Sequence, residues 1–188
     1  MKKASRSVYS ICVIAMCVAV MSLCSWISIP LPVSFTLQTL AVFLISACFP
    51  PSISVSAMLA YLLLGLMGAP IFSGFGAGPA TLFGISGGFL LSFPLCALFI
   101  SLAVRGKPPF SVRFFAISAL AALFSYLCGC MWYVFVFTSG TPADIVAALT
   151  LCVLPFIIPD ALKIFVCALV IKKLEPFLQR LPYTDRRT

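Results

Sequence analysis

The chain has 188 residues, 63% of them hydrophobic and only 9% charged, with a mean hydropathy of +1.21. That composition excludes a water-soluble globular domain and points to an integral membrane protein built as a single helical bundle. The net charge of +8 does not mark a nucleic-acid binder, because the basic residues stand in short clusters between apolar runs rather than along one face.

The N-terminal stretch has basic residues ahead of an apolar core, like a secretory leader. No small-residue cleavage site follows and further apolar runs do, so it reads as a retained first helix. A membrane-crossing helix needs about 20 mostly apolar residues, and Pro, Gly and charge divide the chain into segments near that size. The first helix is expected over 8–28, ending where Pro30 and Pro32 break the hydrogen-bond ladder. A second over 35–49 stops at Pro50 and Pro51, and a third covers 52–68.

The next segment, GAPIFSGFGAGPAT over 68–81, carries four Gly and two Pro and no charge. Irregular backbone at membrane depth is tolerated only where protein or a cavity satisfies it, so this segment is expected to fold in as a loop at a binding site. A fourth helix follows over 82–104, a basic connector over 105–113, and a fifth helix over 114–137. A short helix over 145–154 precedes the sixth, 159–174, with Pro159 in its first turn.

The expected fold is therefore an all-α six-helix membrane bundle with both termini on one side. Every basic residue except Lys163 falls at the N-terminus, in the 105–113 connector or at the C-terminus. The positive-inside rule assigns that face to the cytoplasm, with Trp26, Trp132 and Tyr133 at the outer interface. The nine cysteines lie in apolar runs without a C-x-x-C pair, and read as small buried hydrophobes rather than a zinc or disulfide framework.

Between Arg6 and Arg105 there is no Asp, Glu, Lys, Arg or His, yet Asp160 and Lys163 stand inside the apolar run FIIPDALKIF. Three residues apart on a helix, they share one face. Asp160 is about 18 Å along the helix from Lys172, which places the pair within the outer half of the membrane. Ionisable residues there are costly and usually face a cavity or pathway. A self-satisfied structural ion pair is the alternative.

Four segments, PVSFTLQTLAV (32–42), YLLLGLMGAPIFSGFGAG (61–78), GISGGFLLSF (84–93) and IPDALK (158–163), occur in an order that resembles the BioY family, the biotin-specific substrate-binding components of energy-coupling factor transporters. The resemblance spans nearly the whole chain. It implies a six-helix fold in the cell membrane that binds biotin from outside, without a cofactor, beside a transmembrane coupling subunit and two cytoplasmic ATPases. The chain has no G-x-x-x-x-G-K-[ST] phosphate loop of its own.

The resemblance further implies that Asp160 and Lys163 contact the ligand. Its ureido ring offers N–H donors to a carboxylate and a carbonyl to an ammonium, while the valerate carboxylate is a second partner open to Lys163. Thr36, Gln38, Gly74, Ser86, Gly87, Gly88 and Phe89 are the other implied binding residues; helix capping and packing is the competing role of Thr36 and Gln38. Ala15 and Ala19, at small-xxx-small spacing, are similar to the contact such components make with their coupling subunit.

The segment GISGGF differs from the more polar GPTGGY usual in the family. The Gly-rich loop lacks an Asn and the fourth helix an Arg found in some relatives, so a less polar pocket is expected. Two other readings compete. One is a stand-alone vitamin carrier. The other is an intramembrane hydrolase, since GISG fits the G-x-S-G motif of rhomboid proteases; without any His, only a Ser86–Lys163 dyad remains for it.

Overall fold

The computed structural model of the chain describes residues 2–29, 33–104, 110–138 and 142–178. Pro30 and Pro32, the connector residues 105–109, and the C-terminal Arg180, Arg186 and Arg187 lie outside the described residues. The helices are α1 (Lys2–Trp26), α2 (Gln38–Cys48), α3 (Pro51–Leu66), α4 (Gly78–Leu82), α5 (Gly87–Val104), α6 (Val112–Trp132), α7 (Pro142–Cys152) and α8 (Leu154–Leu178). Two short strands, β1 (Ser28–Ile29) and β2 (Phe35–Thr36), pair antiparallel between α1 and α2.

The expectation of six spanning helices is not confirmed. Among the described residues four stretches are long and apolar enough to cross a membrane, Ser7–Trp26, Gly87–Val104, Val112–Val136 and Asp144–Phe177. At 1.5 Å per residue, α2 and α3 fall short of a hydrocarbon core of about 30 Å. Helix 35–49 in fact starts at Gln38, because Phe35 and Thr36 are extended and paired to Ile29 and Ser28. The sixth helix starts at Leu154 instead of Pro159. Pro155 occupies the first turn, where its missing N–H costs nothing, and Pro159 then lies inside the helix, depriving the Pro155 carbonyl of its usual donor.

The 68–81 segment is irregular as expected but not wholly a loop: it holds a single 3-10 turn, Ser73–Phe75, and the start of α4. Gly74 and Phe75 both have left-handed backbone, φ 62° and 59°. Gly adopts this freely, whereas Phe75 stores strain of about 1–2 kcal/mol there. Its ring stacks beside Trp26, centroids 5.1 Å apart, and Trp26 also donates to the Pro70 carbonyl at 3.0 Å. The fifth helix, expected over 114–137, reaches Phe137 through a π-helical turn, Tyr133–Phe137, that extends α6.

In lipid, helix association rests on close packing and interhelical hydrogen bonds more than on apolar burial. Ser92 on α5 and Ser125 on α6 pair at 2.8 Å, and the Cys96 thiol donates to the Ala121 carbonyl at 3.3 Å. Five cysteines are buried, although Cys12, expected inside, is exposed.

α5 and α6 approach closely at Gly88, where an added Cβ would collide with the Trp132 Cβ and the Cys128 carbonyl. Trp132 is fixed in turn by donating to the Gly84 carbonyl at 3.0 Å. Gly88→Ala is therefore expected to destabilise the chain by about 1–3 kcal/mol. Gly74→Ala, with nothing within 4 Å of the new methyl, should pay only for its backbone, about 1 kcal/mol. Thermal unfolding of both variants in detergent checks the ranking; a Gly88→Ala protein as stable as wild type would mean that α5 and α6 have room to separate.

Candidate ligand-binding site

Asp160 and Lys163 are 2% and 5% exposed, and Lys163 Nζ lies 2.7 Å from Asp160 Oδ1. Three other elements converge on them. Because β2 is extended, the Thr36 carbonyl is not engaged in a helix and accepts from Lys163 Nζ at 2.8 Å. Thr39, in the first turn of α2, accepts from Lys163 at 2.9 Å and donates to Asp160 Oδ1 at 3.0 Å. Tyr126 of α6 donates to Asp160 Oδ2 at 2.5 Å. The Phe35 ring lies 4.1 Å from Nζ, a cation–π distance.

All three ammonium protons are thus engaged, by Asp160, Thr36 and Thr39. The carboxylate accepts two donors on Oδ1 and one on Oδ2, where a second acceptor direction remains.

The pair borders a small, partly enclosed cavity of about 50 Å³, room for a few waters. Its wall is mixed. Phe89, Leu90, Phe93, Ala122 and Phe156 make it largely apolar, and Ser34, Thr36, Gln38, Thr39, Ser73, Ser86, Ser125 and Tyr126 supply polar groups. Two of the rings stack onward, Phe156 against Phe35 at 6.0 Å and against Phe89 at 6.3 Å.

Of the residues singled out in sequence, Thr36, Gln38, Ser86, Phe89, Asp160 and Lys163 line this cavity. Thr36 and Gln38 also bond each other, the Thr36 hydroxyl donating to Gln38 Oε1 at 3.0 Å, and Gln38 Nε2 donates to Tyr61 at 2.6 Å. Gly74, Gly87 and Gly88 do not line it. Gly74 shapes the backbone beside Ser73, and Gly87 and Gly88 admit Trp132 and the α6 backbone. Ala15 and Ala19 sit away from the cavity, exposed on the outer face of α1.

Ser86 and Lys163 border the same space, but no hydrogen bond joins them. Lys163 Nζ is instead held by Asp160, Thr36 and Thr39. Among the described residues no cluster of three metal-ligating side chains occurs.

Thr39, Tyr126 and Phe35 were missed by sequence reasoning. A lone Tyr in the apolar α6 was a usable signal for Tyr126, since a buried hydroxyl needs a partner. Thr39 is one residue from Gln38 and carries no signal of its own.

The chain matches the model of the BioY family over residues 1–180. It is 35% identical over 163 residues to a probable biotin transporter BioY from Pyrococcus horikoshii, covering 86% of this chain and 93% of the relative. To the biotin transporter BioY of Thermotoga maritima it is 37% identical over 156 residues, 80% and 88% of the two chains. Its fold resembles a solved S-component for biotin from an ECF-type ABC transporter, with a TM-score of 0.77 over 92% of this chain and 93% of the other at 22% identity. Sequence and fold agree: this chain is a helical membrane protein and belongs to the BioY family.

Proposed function

We propose that the chain is a biotin-uptake component that binds biotin from the outer side at the Asp160–Lys163 cavity. In this reading it serves as the substrate-specific subunit of an energy-coupling factor transporter, together with a transmembrane coupling subunit and two cytoplasmic ATPases. It would lie in the cell membrane with both termini cytoplasmic, as the basic N-terminus and the Lys172–Lys173 end of α8 favour.

The observation that carries the reading is the buried ion pair at the wall of a cavity lined by both apolar and hydroxyl-bearing side chains. A merely structural pair gains nothing from bordering empty space, whereas a ureido group needs both an acceptor and a donor in a dry site. The relatives carry the name biotin transporter, and that supports the choice of ligand.

The test is calorimetric titration of the purified chain with biotin, together with thermal unfolding in detergent. Saturating biotin should stabilise the fold, by about 2.7 kcal/mol at a hundredfold excess over Kd. Absence of both heat and stabilisation would sink the reading.

A further inference from the structure

Resting on the reading above, we propose that Tyr61 is a positioning residue of the binding site, whose hydroxyl sets which way the Gln38 amide points and so sets the hydrogen-bonding polarity of the cavity wall. Tyr61, on α3, is fully buried and is not among the described residues that line the cavity. Its phenol has one proton, which it donates to the Ile71 carbonyl at 2.8 Å. A carbonyl only accepts, so the phenol oxygen is left with acceptor capacity alone. The group that meets it at 2.6 Å is the end of the Gln38 side chain. That end has to be the NH2, because a turned amide would set oxygen against oxygen with no proton between them.

The rest of the chain follows from that choice. With Nε2 committed to Tyr61, Gln38 Oε1 accepts the Thr36 hydroxyl proton at 3.0 Å, and the Thr36 oxygen accepts the Gln38 backbone N–H at 3.3 Å. Thr36 therefore has no hydroxyl proton left to give. Gln38 keeps one Nε2 proton that no described residue takes, and both residues border the cavity. The wall at Gln38 is thus set as a donor from a residue that never meets the ligand.

The acceptor at the head of the chain is itself held. Ser25 of α1 donates to the same Ile71 carbonyl at 2.5 Å, which fills its two lone pairs. The next residue, Phe72, is fully buried edge-on to the Tyr61 ring, centroids 5.4 Å apart, in the space that a side chain at Gly65 would fill. Tyr61, Gly65, Ile71 and Phe72 all belong to the segment YLLLGLMGAPIFSGFGAG, so one stretch of sequence supplies the donor, the acceptor and the room to bring them together. Turning the Gln38 amide would leave buried polar atoms without partners, and the network resists it for that reason.

Titration of biotin into the wild-type chain, Tyr61→Phe, Ser25→Ala, Gln38→Met and the Tyr61→Phe, Gln38→Met double variant tests this. Tyr61→Phe keeps the ring on Phe72 and removes one of the two donors to the Ile71 carbonyl, and Ser25→Ala removes the other. Both should lower the thermal unfolding midpoint to a similar extent. Only Tyr61→Phe should weaken biotin, by about five- to tenfold, the worth of one net hydrogen bond, with Ser25→Ala binding as wild type does. In the Gln38→Met background, Tyr61→Phe should weaken binding no further, because the side chain it orients is gone. Wild-type affinity in Tyr61→Phe, equal losses in Tyr61→Phe and Ser25→Ala, or additive effects at positions 61 and 38 would overturn the proposal and leave Tyr61 as a structural anchor of the 69–76 segment. Undiminished affinity in Gln38→Met would overturn it even if Tyr61→Phe failed to fold. All of these outcomes leave the biotin reading intact, whereas failure of the wild-type chain to bind biotin would overturn that reading and this inference with it.

Discussion

Lys163→Met is expected to lower biotin affinity by roughly thirtyfold to several thousandfold, the range for removing one partner of a desolvated charge-assisted contact, about 2–5 kcal/mol. Asp160→Asn should fall at the lower end, because the amide oxygen in the place of Oδ1 still accepts from Lys163 and Thr39, and only the Oδ2 position facing Tyr126 loses its acceptor. Methionine keeps nothing of the three donors now held by Asp160, Thr36 and Thr39. Both single variants also leave a buried charge without its partner, at about 3–5 kcal/mol of stability, since Tyr126 and Thr39 offer the carboxylate only neutral donors.

The double variant separates recognition from stability. Removing both charges should recover much of the stability, as replaced buried pairs often do. It should still bind biotin poorly, because neither the anionic acceptor nor the cationic donor remains. Thermal unfolding and titration of the same preparations give the two readouts. Near-native biotin affinity in a folded double variant would remove Asp160 and Lys163 from the site and leave them as a purely structural clasp between α8, α2 and α6.

Where the sequence was legible, the signal was local. Apolar runs near membrane length placed α1, α5, α6 and α8, and two charges isolated in such a run exposed Asp160 and Lys163. The partners of the pair were not legible, because Thr39 and Tyr126 lie 121 and 34 residues from Asp160 in sequence, and only packing brings them together. The β1–β2 pairing has just two residues per strand, too short for any alternation to show. Pro159 and Pro155 are equally good in a first helical turn, and the choice between them is made by the short turn at Val153 that follows α7. The neighbours of Gly87 and Gly88 were not legible either: an added Cβ would meet the Leu82 carbonyl at Gly87 and Trp132 of α6 at Gly88.

In the proposed assembly, Ala15→Leu with Ala19→Leu is expected to weaken association with the coupling subunit while leaving biotin binding by the isolated chain unchanged. The two alanines lie one turn apart on a face of α1 that also exposes Ile11, Met16 and Leu23, so they do not pack inside this bundle. Small residues at that spacing let a second helix approach closely, and in lipid such contact, rather than apolar burial, drives association. Two added isobutyl groups would hold the partner helix off over a full turn; a loss of 1–3 kcal/mol, or about five- to a hundredfold in affinity, follows from overpacking alone. Among the described residues none of α1 lines the Asp160–Lys163 cavity, so titration with biotin controls for folding. Co-purification of the double variant with the coupling subunit and its ATPases reads the assembly, and an undiminished yield of the complex would move the contact to another face of the chain.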